Sequence, residues 1–305
     1  MTGVGRVGAA GISGTSAPTF RKDAATIVAA FTAAGHRVIL STKSHVSRDV
    51  AARLKGAGLD HLQVSIDGAT SEIADFMTNS RGFFSPILNT IRNAQDVGIS
   101  VRTNCVLTSC NTRSAPQLLV LLADLGVEVI RLTPYGLSPY TELAPTLFPA
   151  RQDLSWLATE VMVFGRRYSN VDVQLGGVAA EAATARQREQ QWHERSSCSA
   201  GRYGMIVLSD GKVILCDEVP VAAHFVVGDL THQSLMDVWD SPALAHCVHP
   251  PQAKFGGTSC QRCAAFAECH QLKGRCFRDA WKAFGTFYAP APTCPQAPPS
   301  RRLSV

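Results

Sequence analysis

The sequence predicts an α/β fold, with a parallel sheet covered by helices and then a small cysteine-rich module. Three observations carry this. Short Val/Ile/Leu-rich runs alternate with amphipathic helical stretches through the first half of the chain. Gly35, Gly58, Gly98 and Gly126 each fall between a helix and the next strand, where a left-handed C-cap belongs. Eight of the ten cysteines lie in the last 108 residues.

The first strand is Arg6 to Ile12. A helix from about Asp23 to Ala34 follows, with Ile27, Val28 and Phe31 on one face. Next come a strand at Arg37 to Ser41, a helix at Arg48 to Lys55 and a strand at His61 to Ile66. Ser85 as N-cap and Pro86 in the first turn open a helix carrying Ile87, Leu88, Ile91 and Ala94, which Gly98 stops. Ser100 to Leu107 is a strand, Pro116 to Leu125 a helix and Glu128 to Leu132 a strand. Leu154 to Tyr168 reads as a helix and Val171 to Leu175 as a short strand. Near-continuous apolar strands between helices imply parallel pairing, with active-site groups at the C-terminal strand ends.

Ala179 to Ser197 is polar and reads as a helical linker. Tyr203 to Leu208 and Lys212 to Leu215 flank Ser209-Asp210-Gly211, a hairpin signal. From Gln296 the tail is mostly Pro, Ser and Arg and is expected to fray. The domain plan is a barrel-like region 1–178, a linker 179–197, a cysteine-rich domain 198–295 and a flexible tail 296–305.

With 46% hydrophobic and 17% charged residues in 305, the chain is globular. A net charge of +5 with scattered Lys and Arg argues against nucleic acid as partner. No run approaches the ~20 apolar residues of a membrane helix, and Met1 to Gly5 lacks the form of a secretion signal. The expected location is the reducing cytoplasm, where clustered cysteines bind metal more often than they pair. Gly3-x-Gly5-x-x-Gly8 matches a dinucleotide pattern but has no strand before it.

The metal-ligand pattern is Cys260-x2-Cys263-x5-Cys269-x6-Cys276, then Cys294-Pro295. A thiolate pair two residues apart grips one centre from a single turn. Cys198-x12-Gly211-x4-Cys216 puts two more thiols on either side of the hairpin. Spacing alone leaves two chemistries open: iron–sulfur clusters, or a closed structural zinc site in a non-catalytic protein that binds a peptide or partner.

The order C-x(9–15)-G-x4-C, then C-x2-C-x5-C, a further Cys and a last Cys-Pro resembles the SPASM module of radical SAM enzymes. Val227-Gly228-Asp229-Leu230 through Trp239-Asp240-Ser241 is similar to that module's middle stretch. Leu62-Gln63-Val64-Ser65-Ile66-Asp67-Gly68 resembles the family's "iSlDG" strand. Arg81-Gly82-x-Phe84 and Cys110-Asn111 resemble later landmarks. The likeness implies a partial (β/α)6 barrel that here lacks its first strand, since the CxxxCxxC loop of the SAM-cleaving cluster is absent from the sequence. Gly14-Thr15-Ser16-Ala17-Pro18 resembles the "GGEP" stretch, with Ala17 where the family has a glutamate that holds the SAM ammonium. The chain is therefore expected to be truncated or degenerate at the SAM-cluster site.

The resemblance implies a peptide or cofactor-precursor maturase, with hydrogen abstraction by a 5′-deoxyadenosyl radical. It assigns Cys260, Cys263, Cys269 and Cys294 to one auxiliary [4Fe–4S] cluster, and Cys198, Cys216 and Cys276 to a second. His193 and Cys247 are candidates for the remaining position of the second. Asp217 is the candidate base, and Ser65 and Asp67 are the candidate S-adenosylmethionine contacts. The implied partners are a peptide or small precursor substrate and an electron donor such as flavodoxin or ferredoxin. Cys105 is expected to be plain core.

Overall fold

The alternating apolar runs resolve into six parallel strands whose order in the sheet is their order in the chain. The computed structural model describes residues 9–12, 18–136, 144–176, 185–216, 219 and 225–298. The residues up to 176 form one compact unit and those from 185 onward another.

In the first unit the strands are β1 (Ala9–Ile12), β2 (Arg37–Thr42), β3 (His61–Ser65), β4 (Ser100–Leu107), β5 (Val129–Pro134) and β6 (Asp172–Leu175). The helices are α1 (Ala24–Ala33), α2 (Arg48–Gly56), α3 (Ser71–Thr78), α4 (Phe84–Asp96), α5 (Ala115–Asp124) and α6 (Arg151–Arg167). This is the wall of a partial (β/α) barrel. Gly35, Gly58, Gly98 and Gly126 all have positive φ, as the C-cap positions require.

The strands alternate in burial rather than being buried on both faces. Val38, Leu40, Leu62, Val64, Val101, Cys105, Leu107, Ile130 and Leu132 pack against the helices in one core. The other face carries Gln63, Ser65, Arg102, Asn104, Arg131 and Thr133, half-buried or exposed. These polar residues pair across strands. Thr133 Oγ1 donates to Asn104 Oδ1 at 2.9 Å, and Arg131 Nη2 to Gln174 Oε1 at 3.1 Å. A half-buried polar face on a parallel sheet is a surface prepared for a ligand, because packing alone would make it apolar.

Two local expectations change. Phe31 is exposed, since α1 reaches the core through Ala24, Ala25 and Val28. Helix α4 begins at Phe84, and Ser85 is not its cap. Instead Asp75, on the short helix α3, accepts from the N–H groups of Gly82, Phe83 and Phe84 at 2.6, 2.9 and 3.2 Å. A carboxylate at a helix start satisfies its free donors and complements its dipole.

In the second unit α7 (Ala185–Glu194) leads to the hairpin of β7 (Ile206–Val207) and β8 (Lys212–Ile214), turned at Gly211 with φ of 86°. A third antiparallel strand, β9 (Val226–Asp229), completes the sheet. Helices α8 (Leu235–Trp239) and α9 (Pro242–Val248) follow, each capped by a serine, Ser234 and Ser241. The cysteine-rich segment holds a π-helical turn, Ala267–Lys273, and α10 (Phe277–Phe284). Its core is aromatic, with Phe255 fully buried against Phe266, His270 and Tyr288. The tail is not free from Gln296 on: Ala297 is 2% exposed, and residues beyond 298 lie outside those described.

Candidate functional site

At the C-terminal end of β3, Ser65 is half-buried on the polar face. Asp67, two residues on, is 2% exposed, and both its carboxylate oxygens are engaged. Oδ2 accepts from Lys43 Nζ at 2.6 Å, and Oδ1 from the Val106 N–H at 2.8 Å. Asn111 completes the network. Its Nδ2 donates to the carbonyls of Asp67 and Val106, both at 2.8 Å, and its Oδ1 accepts from the Thr108 N–H at 2.6 Å. A buried aspartate with both oxygens engaged by neighbouring strand ends braces the loop that follows Ser65. At Gly68 a Cβ would meet Ala74 N at 2.7 Å, so the chain passes too close to α3 for any side chain.

The four thiols Cys260, Cys263, Cys269 and Cys294 are brought together. Thr258 Oγ1 accepts from the Cys260 N–H at 3.2 Å, and the Cys263 N–H donates to the Cys260 carbonyl at 3.3 Å. Gln252 Nε2 donates to both cysteine carbonyls, at 3.1 and 3.4 Å, which fixes this turn. Cys269 sits on the π-helical turn, with Arg195 Nη2 3.3 Å from its sulfur. Burial pushes the Cys260 thiol up to about 12; the thiols of Cys294, Cys269 and Cys263 push the same way and Arg275 opposes them. Burial also raises Cys269, against the pull of Arg195. Ligation by a metal cation would remove this mutual penalty, because the thiols must deprotonate to bind it.

The second set converges on residues 273–277. The Cys198 N–H donates to the Lys273 carbonyl at 2.8 Å. At Gly274, with φ of 73°, a Cβ would lie 3.1 Å from Cys198 Cβ. Cys216 packs in the same apolar cluster as Phe277, the residue after Cys276. Burial pushes Cys276 itself up to about 12, and Asp279 adds to the shift. Of the two candidates for the remaining position, His193 is exposed, whereas Cys247 is half-buried and lines a cavity with Cys198, His270 and Arg275. Asp217 and Ala17 lie outside the described residues. Cys105 is 1% exposed, in the core as expected.

Among the described residues no three Cys, His, Asp or Glu side chains group tightly enough to share a single metal ion. A lone zinc draws its thiolates to about 2.3 Å from one point. Lys43, Arg195, Gln252 and Arg275 had not stood out in the sequence, because lone polar residues there read as solvated surface.

The first unit presents a polar sheet face, and the second carries the two sets of cysteines. Comparison with known proteins makes this specific. The model of the radical SAM superfamily matches residues 6–111, and that of the SPASM iron–sulfur cluster-binding domain matches residues 198–264. Both matches support a radical SAM/SPASM reading of the chain. It is 27% identical over 288 residues to the mycofactocin maturase MftC of Mycolicibacterium smegmatis, covering 91% of this chain and 68% of MftC. It is 25% identical over 280 residues to the PqqA peptide cyclase of Methylocella silvestris, covering 85% and 72%. The crystal structure of Streptococcus suis SuiB superposes with a TM-score of 0.67 at 15% identity, over 93% of this chain and 66% of SuiB. The chain thus spans about two thirds of the length of SuiB and of MftC. SuiB has also been solved bound to S-adenosylmethionine and to its precursor peptide SuiA.

Proposed function

We propose that the chain is a radical SAM/SPASM oxidoreductase that matures a peptide or a cofactor precursor. The observation that supports this is the mutual electrostatic influence of the Cys260, Cys263, Cys269 and Cys294 thiols, with Cys260 and Cys263 packed beside the buried Phe255 and Phe266. The names of MftC and the PqqA cyclase, and SuiB bound to SuiA, support a peptide substrate.

When bound, [4Fe–4S] clusters supply one-electron transfer. The chain's own residues hold them: the first set through its four thiolates, the second through Cys198, Cys216 and Cys276, with Cys247 in the fourth position. Phe255 and Phe266 keep water from the first seat, and Arg195 offsets its negative charge. On the barrel, Ser65 and its polar neighbours face S-adenosylmethionine, while Asp67 braces the strand ends. Asp217 takes the proton released as the substrate is oxidised. A flavodoxin- or ferredoxin-type protein delivers the electrons.

The cysteine triplet CxxxCxxC does not occur in residues 1–305. The proposal divides accordingly. If the reading frame upstream of the Met1 codon encodes that triplet, the protein cleaves S-adenosylmethionine itself. If it does not, the described residues serve a cluster-bearing relay or binding protein degenerate at that site.

The deciding experiment is anaerobic reconstitution with iron and sulfide. The expected product is brown, absorbs near ~400 nm and holds about eight irons per chain, four per cluster. Stoichiometric zinc without sulfide, in a colourless protein, overturns the reading.

A further inference from the structure

Arg275 directly precedes Cys276, lines a cavity with Cys198 and Cys247, and sits over Phe255, which packs with Cys260 and Cys263; it has no carboxylate partner among the described residues. It is 6% exposed. Its Nε donates to His270 Nδ1 at 3.1 Å, and its Nη2 donates to the Phe287 carbonyl. Its guanidinium lies 5.2 Å from the Phe255 ring centroid. His270 is itself fixed, stacked on Phe266 at 4.2 Å and edge-on to Phe255 at 4.6 Å. The third nitrogen, Nη1, is buried and has no hydrogen-bond partner. Arg275 lines both cavities of this region, each of which also carries Cys247.

A buried guanidinium without an anion is strongly unfavourable, and removing an orphaned donor from water adds to the cost. A guanidinium stays charged at neutral pH even when buried. The groups that favour its charge are Cys260 and Cys269 of the first set, Cys276 of the second, and Cys247. Neutral thiols cannot balance a cation. Thiolates around an iron–sulfur cluster can, because such a centre carries net negative charge and its sulfurs accept hydrogen bonds.

We propose that Arg275 is the common counter-charge of both cluster seats, aims its free Nη1 at a cluster or thiolate sulfur, and holds both reduction potentials up. The proposal rests on the iron–sulfur reading above. Reduction adds one electron to each cluster from an external reductant, with no bond made or broken. A fixed positive charge favours the more negative, reduced form, so its loss lowers the potential.

The test is an anaerobic potentiometric titration of the reconstituted full chain, followed by electron paramagnetic resonance, on wild type, Arg275→Gln and Arg275→Lys. With wild-type iron and sulfide content, Arg275→Gln is expected to move both midpoints to more negative values. Arg275→Lys, which keeps the charge, should recover most of the difference. If Arg275→Gln fails to load iron while Arg275→Lys loads it, the requirement for charge also stands. Unchanged midpoints in a fully loaded Arg275→Gln protein, or a shift of one cluster alone, overturn the proposal. So does a Lys variant that behaves like the Gln variant. A wild-type chain that binds no iron sinks the iron–sulfur reading itself, an outcome separate from these.

Discussion

Lys43 Nζ lies 2.6 Å from Asp67 Oδ2, although the lysine side chain is 45% exposed and the aspartate 2%. The pair joins the loops after β2 and β3, and the other oxygen of Asp67 reaches the Val106 N–H on β4. Three neighbouring strand ends are thereby held by one carboxylate. Asp67→Ala would leave a buried N–H without its acceptor, at a cost of about 1–3 kcal/mol. Asp67→Asn keeps one acceptor oxygen and should cost less. Urea unfolding checks both. S-adenosylmethionine affinity, measured by calorimetry, should fall in Ser65→Ala and hold in Asp67→Asn if Asp67 only braces.

Asn111 is the second brace, 2% exposed, with both ends of its amide engaged. Asn111→Ala removes partners from two carbonyls and one N–H at once. A loss of about 2–4 kcal/mol is expected, more than for a surface asparagine. Asn111→Asp should be no better, because a carboxylate would face the carbonyls of Asp67 and Val106.

The two thiol sets make separate forecasts for iron. Cys260→Ala should lower the iron content from about eight to about four per chain, and Cys276→Ala should do the same by emptying the other seat. Cys247→Ala should change the spectrum of only the second cluster, and His193→Ala should change nothing. A His193→Ala protein that loses a cluster would reverse that assignment.

At Gly228 a Cβ would lie 2.4 Å from Val238 Cγ2, so β9 and α8 touch with nothing between them. Gly228→Ala overpacks this contact and should destabilise by about 1–3 kcal/mol. Adding Val238→Ala should return part of the loss, a coupling that a double-mutant cycle measures.

Chelating the iron should lower the melting temperature of the second unit. Its described core is split into small clusters, and two buried guanidinium nitrogens, Arg195 Nε and Arg275 Nη1, have no hydrogen-bond partner among the described residues. Binding free energy at such a site is folding free energy. The first unit, with one continuous core, should melt as before. Calorimetry of the holo and apo forms separates the two.

Much of this was legible in the chain. Ser100–Leu107 was bounded to the residue, because Gly98 stops the helix before it and the β-rich run is unbroken. The helix Ser71–Thr78 was not seen: it spans eight residues and buries only Ala74, so it leaves almost no periodic signal. The start of α4 was misplaced because its capping carboxylate, Asp75, lies nine residues before Phe84. The turn from Cys260 to Cys263 was visible from its spacing, which is local. Arg275 and His270 were not, since their burial is decided by Phe255, Phe266 and Phe287, which are close in the fold but spread along the chain.

The unbroken sheet order from β1 to β6 bears on how the molecule is made. Each strand docks on the one translated just before it, so a nascent chain can extend its sheet at a single growing edge while still on the ribosome. Among the described strands of this sheet none must wait for a distant partner, and the cysteine-rich unit is synthesised after them.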